Sequence, residues 1–124
     1  MKTFFVFTLV TIILFIGLIL LQSSQKNDGK LQIIFCDVGQ GDAILIRTPN
    51  GSDLLFDGGP NKKVLTCLSD HLPFWDRDIE MMFLSHPHAD HLIGLLDVID
   101  RYTLGYFARE DLANNTDEYK MLLE

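Results

Sequence analysis

The sequence predicts a mixed α/β domain that follows one long apolar helix. From Leu31 onward, short runs rich in β-branched and aromatic residues alternate with segments of helical periodicity. Before that point, the stretch from Phe4 to Leu21 contains no charged residue. We therefore expect an apolar anchor over residues 1–22, a polar linker over residues 23–30 and a folded domain over residues 31–124.

The apolar stretch has the length of a membrane-spanning helix. Eighteen helical residues rise about 27 Å, close to the ~30 Å hydrocarbon thickness of a bilayer. A secretory signal is the alternative, but its apolar region is usually roughly 7–15 residues long and ends at a small-residue cleavage site. The segment from Gln22 to Gln25 has no such site, so the sequence favours a single-pass anchor that contacts the membrane through residues 4–21. A short N-terminus usually stays inside, which predicts an extracytoplasmic domain.

The pattern after the linker predicts five strands and three helices. The turn Thr48-Pro49-Asn50-Gly51 supplies the residues that a tight reversal needs, so the second and third strands should form a hairpin. Asn115 and Thr116 are typical N-cap residues and predict the start of the last helix. The strands are expected at residues 31–36, 43–47, 52–56, 80–84 and 104–107, and the helices at 61–72, at 92–102 and after 116. The last helix is expected to be cut short, with the chain a truncated one.

Two further sets of residues have simple structural interpretations. Cys36 and Cys67 lack the spacing of a metal site, and we interpret them as two buried thiols, although a disulfide is possible if the domain is exported. Phe74 and Trp75 follow the end of a predicted helix, where such residues most often pack against the core.

The charge of the chain argues against a broad nucleic-acid surface. Ten Lys and Arg residues face seventeen Asp and Glu residues, a net charge of −7. The part after the apolar stretch, residues 22–124, carries nine basic and seventeen acidic residues. A surface this acidic disfavours an extended contact with phosphates but leaves a local basic groove possible.

The chemistry concentrates in one segment, Ser85-His86-Pro87-His88-Ala89-Asp90-His91, which holds three of the four histidines. Imidazole and carboxylate groups bind zinc and similar divalent ions. In an extended loop, the spacing of two residues points His86 and His88 the same way, and the turn into a helix brings Asp90 and His91 to the adjoining position. Such an arrangement suits two metal ions roughly 3.5–4 Å apart. A run of surface histidines with Asp90 as a capping residue is the disfavoured alternative.

This histidine motif resembles the signature of the metallo-β-lactamase superfamily. A second stretch, Asp37-Val38-Gly39-Gln40-Gly41-Asp42-Ala43, followed by Leu55-Phe56-Asp57-Gly58-Gly59, resembles the metallo-β-lactamase-like domain of the ComEC competence proteins. The resemblance extends from about Leu31 to the end of the chain. It implies an α/β fold of the αββα sandwich type, with the metals at one edge of two packed sheets. This chain would form the N-terminal half of that sandwich.

The resemblance also implies roles for individual residues. His86 and His88 would bind the first of two divalent ions, which we expect to be zinc. Asp90 and His91 would bind the second, and Asp90 would also hold or deprotonate the attacking water.

Two more carboxylates belong to the implied site. Asp57 would orient the ligands through hydrogen bonds. Asp42 would lie at the rim of the site, or it would instead hydrogen-bond its own backbone in a glycine turn. Gly58 and Gly59 are expected to serve backbone geometry.

The implied function is metal-dependent hydrolysis by an activated water, with a phosphodiester of single-stranded nucleic acid as the substrate of this branch. No histidine follows His91, so the remaining ligands of a binuclear site cannot be assigned. We therefore expect the chain alone to bind metal weakly and to be a poor catalyst. An inactive membrane-anchored scaffold, or a half-site protein that needs a partner chain, is the alternative. No protein partner can be assigned, and no stacking platform or basic channel for nucleic acid is evident.

Overall fold

The computed structural model describes residues 2–26, 29–110 and 116–124. Helix α1, Lys2–Lys26, contains the stretch Thr3–Leu21, which is long and apolar enough to cross a membrane. None of this stretch is buried against the other described residues. A signal sequence near the N-terminus would have the same length and composition.

The folded part is built on one five-stranded mixed sheet in which neighbours in sequence are neighbours in space. The first three strands form an antiparallel meander, and the fourth and fifth run parallel to the third. The strands are β1 Gln32–Phe35, β2 Ile44–Arg47, β3 Asp53–Phe56, β4 Asp78–Leu84 and β5 Thr103–Arg109. All five predicted strands are thus confirmed, with shifts of one or two residues at their ends.

Three helices follow the predicted pattern and supply the core together with one face of the sheet. They are α2 Lys63–His71, α3 Ala89–Ile99 and α4 Asp117–Leu123. Leu45, Leu55 and Met82 from the sheet are fully buried in one cluster with apolar residues of all three helices, including Val64, Leu68, Leu92, Leu95 and Leu122. Because α3 begins at Ala89, three residues earlier than predicted, Asp90 and His91 lie in its first turn.

The predicted turn between β2 and β3 and the predicted N-cap Thr116 of α4 are also confirmed. Gly51 has a φ of 86°, and its N–H donates to the Thr48 carbonyl, which closes the β2–β3 hairpin. Thr116 is the N-cap of α4, and its hydroxyl accepts a hydrogen bond from the Tyr119 N–H. The predicted partner cap, Asn115, lies outside the described residues.

The opposite face of the sheet is apolar and is left partly open by the described residues. Strand register places its side chains in two rows that cross all five strands. One row is Phe35, Ile44, Phe56, Phe83 and Ala108, and the other is Ile33, Ile46, Leu54, Met81 and Tyr106. None of the ten is buried, and Phe35 is 77% exposed. An apolar face of this extent is the kind that a second layer covers in a sandwich.

The interpretation of the cysteines as free thiols is wrong. Cys36, just after β1, and Cys67, in α2, form a disulfide across 31 residues of sequence, with a Cα–Cα distance of 5.6 Å. The sequence does not show this pairing because it depends on α2 packing beside the end of β1.

Removal of this disulfide is expected to cost about 2–4 kcal/mol of unfolding free energy, since the crosslink restricts the unfolded chain. Urea unfolding of the full chain in detergent, followed by the fluorescence of its single tryptophan, should show a lower midpoint for the variant Cys36→Ser/Cys67→Ser. Adding a reductant should lower the midpoint of the wild type and leave the variant unchanged. Equal midpoints for wild type and variant would contradict the prediction.

A buried ion pair joins the β2–β3 hairpin to the end of α2. The Arg47 Nε donates to Asp53 Oδ1 at 2.9 Å, and the two side chains are 5% and 1% exposed. The Arg47 Nη1 also donates to the His71 carbonyl at 2.7 Å. Burial raises the pKa of the Asp53 carboxyl above its ordinary value, and the neighbouring Arg47 opposes that rise.

Candidate metal centre

The direction of the strands gathers the predicted site residues at one edge of the sheet. Asp57 directly follows β3, and Ser85 and His86 directly follow the parallel strand β4. The segment from Asp37 to Asp42 connects the end of β1 with the start of β2 at the same edge. The first turn of α3 brings Asp90 and His91 back to this edge.

Three of the four predicted ligands form a compact group. His86, Asp90 and His91 each offer a ligand atom, and these atoms lie within 4.8 Å of one another. The imidazole rings of His86 and His91 have centroids 3.8 Å apart. The His91 Nε2 lies 3.8 Å from Asp90 Oδ2. Two imidazoles and one carboxylate therefore converge on a single small volume.

His88 lies outside this group. It is the N-cap residue of α3, its side chain is exposed, and its ring centroid lies 4.8 Å from that of His86. The division of the four ligands between two ions stays a prediction, because the described residues bring His86 together with Asp90 and His91.

Asp57 is the centre of the hydrogen bonding beneath the group. Its Oδ2 lies 2.9 Å from His91 Nδ1, and its Oδ1 accepts from the Ser85 N–H at 2.8 Å. The residue is buried and adopts a φ of 57°, a left-handed conformation that Asp tolerates better than most residues. The carboxylate, which only accepts hydrogen bonds, therefore fixes the proton of His91 on Nδ1 and leaves Nε2 free to bind metal.

Ser85 orients the imidazole of His86 in the same way, a role that the sequence did not predict. Its hydroxyl donates to Asp57 Oδ2 at 2.6 Å, and its oxygen lies 2.9 Å from His86 Nδ1. Since the single hydroxyl proton is given to the carboxylate, the oxygen accepts from the His86 Nδ1–H. Both imidazoles thus present Nε2. The one signal in the sequence for this role of Ser85 is that a hydroxyl residue directly precedes the first histidine of the motif.

Glycines hold the edge together where no side chain would fit. A Cβ on Gly94 would meet the Gly58 carbonyl oxygen at 1.9 Å, so α3 packs directly against the loop after β3. The Gly58 N–H donates to the His91 carbonyl at 2.7 Å, and Gly59 has a φ of 69°. The predicted geometric roles of Gly58 and Gly59 therefore match the structure.

The segment from Asp37 to Asp42, called here the rim segment, packs directly against the backbone of a predicted ligand. Gly41 has a φ of 75°, and a Cβ there would lie 1.8 Å from the Asp90 carbonyl oxygen. The next residue, Asp42, has an exposed side chain, and its carbonyl accepts from the Gly59 N–H at 2.9 Å. The position of the Asp42 carboxylate at the rim stays a prediction.

Substitution of Gly41 by Ala should displace Asp90 and weaken metal binding, on the order of tenfold, the effect typical of lost supporting contacts. Gly39→Ala is the matched control, because Gly39 also has a positive φ, of 90°, but a Cβ there meets only the flexible end of Lys63 at 3.4 Å. Competition for Zn²⁺ with a chelating dye measures both affinities. Equal losses in the two variants would attribute the effect to backbone strain alone.

The donor set fits a divalent metal ion. Three protein ligands plus an open position for water is the usual composition of a catalytic zinc site, and His86, Asp90 and His91 supply three. The buried carboxylate that orients the imidazole of His91 is the supporting contact that such sites need.

A comparison with protein-family models agrees with this geometry. The family model described as the metallo-beta-lactamase superfamily matches residues 36–117, which include the rim segment, Asp57 and the histidine motif. Comparison with curated proteins and with solved structures gave no significant match. Since the family model covers more than half of the sequence, the chain belongs to the metallo-beta-lactamase superfamily.

Proposed function

We propose that this protein is a membrane-anchored, metal-dependent hydrolase of the ComEC-like type, and that its substrate is a phosphodiester of single-stranded nucleic acid. The observation that carries the proposal is the convergence of His86, Asp90 and His91 within 4.8 Å above the buried Asp57. The substrate is proposed only from the resemblance of Asp37–Ala43 and Leu55–Gly59 to the ComEC proteins, and the acidic charge of the chain disfavours an extended contact with phosphates.

The chain's own residues divide the work of such a reaction. His86 and His91 would hold a metal ion through Nε2, because Ser85 and Asp57 accept their Nδ1 protons. Asp90 would be the third ligand, and its partly exposed carboxylate would accept a proton from the attacking water. A bound divalent ion would supply the acidity that makes this water a nucleophile near neutral pH.

Two features support an anchored, extracytoplasmic position. The stretch Thr3–Leu21 has the length and composition of a membrane span. The Cys36–Cys67 disulfide belongs to oxidising compartments, because the cytosol of most organisms keeps such thiols reduced.

The test is metal binding and hydrolysis by the full chain in detergent. Zinc titration should give one ion per chain if His86, Asp90 and His91 form the whole site, and two if His88 helps to hold a second ion. His91→Ala should abolish binding, whereas His71→Ala, which removes the histidine outside the motif, should not. The chain alone is expected to be a poor catalyst, so cleavage of a labelled single-stranded oligonucleotide should be weak, and this weak cleavage should be lost with a chelator and restored by Zn²⁺. Equal zinc binding by wild type and His91→Ala would refute the proposed site.

The second candidate function is a metal-binding scaffold or half-site protein that requires a partner chain. The exposed position of His88, apart from the other three ligands, favours it. Tight zinc binding by a chain that hydrolyses no phosphodiester would support this candidate.

A further inference from the structure

The loop between α2 and β4 presents an aromatic pair to solvent. Phe74 is 61% exposed and Trp75 is 37% exposed, and their rings stack edge to face with centroids 4.9 Å apart. The expectation that these residues pack into the core is therefore wrong for Phe74. We propose that this pair enters the headgroup region of the membrane that holds α1, and thereby fixes the orientation of the domain. The inference rests on the proposed membrane anchoring.

Hydrogen bonds place the aromatic loop at the edge of the sheet where the chain enters the domain. The first residue of β1, Gln32, is paired in register with Arg47. The guanidinium of Arg47 in turn donates to the carbonyl of His71, the last residue of α2. The loop with Phe74 and Trp75 begins directly after this point, so the start of β1 and the aromatic pair share one edge.

The short segment between the apolar stretch and β1 limits how far that edge can lie from the bilayer. Helix α1 continues five residues beyond the apolar stretch, from Leu21 to Lys26, and five more residues separate Lys26 from the start of β1 at Gln32. At 1.5 Å per helical residue and about 3.4 Å per extended residue, the start of β1 lies within about 25 Å of the end of the apolar stretch. The candidate metal centre follows the ends of β3 and β4 and lies at the opposite edge of the sheet. An aromatic contact at the tethered edge therefore directs the metal centre away from the membrane.

The chemistry of the loop favours zwitterionic headgroups. Tryptophan and other amphipathic aromatic rings concentrate at the level of the headgroups, where one end of the ring is apolar and the other wet. Exposed carboxylates (Asp70, Asp78 and Asp100) and exposed cations (Lys30, Arg77 and Arg101) both lie at this edge, near the ends of α2 and α3 and the starts of β1 and β4. Because the two signs nearly balance, the contact should depend little on salt or on anionic lipids.

Trp75 is the only tryptophan of the chain and reports on this contact directly. The full chain is reconstituted into phosphatidylcholine vesicles whose acyl chains carry bromine near the glycerol. We expect a blue-shifted emission and about a twofold loss of Trp75 fluorescence relative to unbrominated vesicles, as for a ring at headgroup level. Phe74→Ser should reduce the quenching. The variant Trp75→Phe/Gln40→Trp moves the single tryptophan to the exposed rim of the metal centre and should show no quenching.

Vesicle flotation distinguishes the two ways in which the inference can fail. If the chain does not float with the vesicles, the membrane anchoring is wrong and the inference falls with it. If the chain floats but bromine leaves Trp75 unquenched, the anchoring stands and the proposed orientation is overturned. Quenching of the wild type and of the variant Trp75→Phe/Gln40→Trp to the same degree would also overturn it.

Discussion

Replacement of Asp57 by Asn is expected to lower zinc affinity by about 10–100-fold while leaving the fold intact. The Ser85 N–H donates to Asp57 Oδ1, so the carbonyl oxygen of the new amide must occupy that position. The amide NH₂ then faces His91 Nδ1 and donates to it. The proton of His91 moves to Nε2, the atom that would bind the metal, and binding requires that this arrangement be broken.

The fold should survive this change because Asn tolerates the positive φ of Asp57 as well as Asp does. Asp70→Asn, at an exposed position in α2, is the control for removal of one negative charge. Competition with a chelating dye measures the affinity, and far-ultraviolet circular dichroism measures the fold. An unchanged affinity in Asp57→Asn with retained structure would show that Asp57 does not orient the ligand.

Most elements of the fold were predictable because their periodicity reflects burial. Leu92, Leu95 and Leu96 mark the buried side of α3, yet the pattern does not show that the helix starts at Ala89. Its first turn carries Asp90 and His91, whose identities serve the site rather than the core. The sequence therefore does not predict the start of α3, because function and not packing determines the residues there.

The support of the site was harder to predict than its ligands. The histidine motif can be recognised from its residue types and spacing, and it lies within the residues that match the superfamily model. The contacts of Ser85 and Gly41 depend on how three separate loops meet at one edge of the sheet, and sequence spacing contains no such information. The Cys36–Cys67 pairing is hidden for the same reason.

The open face of the sheet connects fold and function. Strands with apolar residues on both sides predict cover on both faces, and the helices cover one of them. The sandwich implied by the family resemblance would place a second sheet on the rows that include Phe35 and Tyr106. A second layer on this face would meet the same edge of the sheet at which the candidate metal centre lies.

Replacement of Arg47 by Met should destabilise the protein by about 3–5 kcal/mol at pH 7, because it leaves the Asp53 carboxylate buried without its partner. The loss should be smaller at pH 5. Burial already raises the pKa of Asp53, and removal of Arg47 would raise it further. A raised folded-state pKa means that the contribution to stability is fully present below the unfolded pKa, about 3.9, and is lost as the pH rises through the folded value.

The double variant Arg47→Met/Asp53→Leu separates charge from packing. With both charges gone, the pair is replaced by apolar side chains, and most of the lost stability should return, since such replacements are often neutral. Urea unfolding at pH 7 and pH 5, followed by Trp75 fluorescence, measures all three proteins. If Arg47→Met loses the same free energy at both pH values, the hydrogen bond from Arg47 to the His71 carbonyl, and not the isolated carboxylate, accounts for the loss. That outcome would mean that a single hydrogen bond fixes the position of the end of α2 and, with it, the position of the aromatic loop.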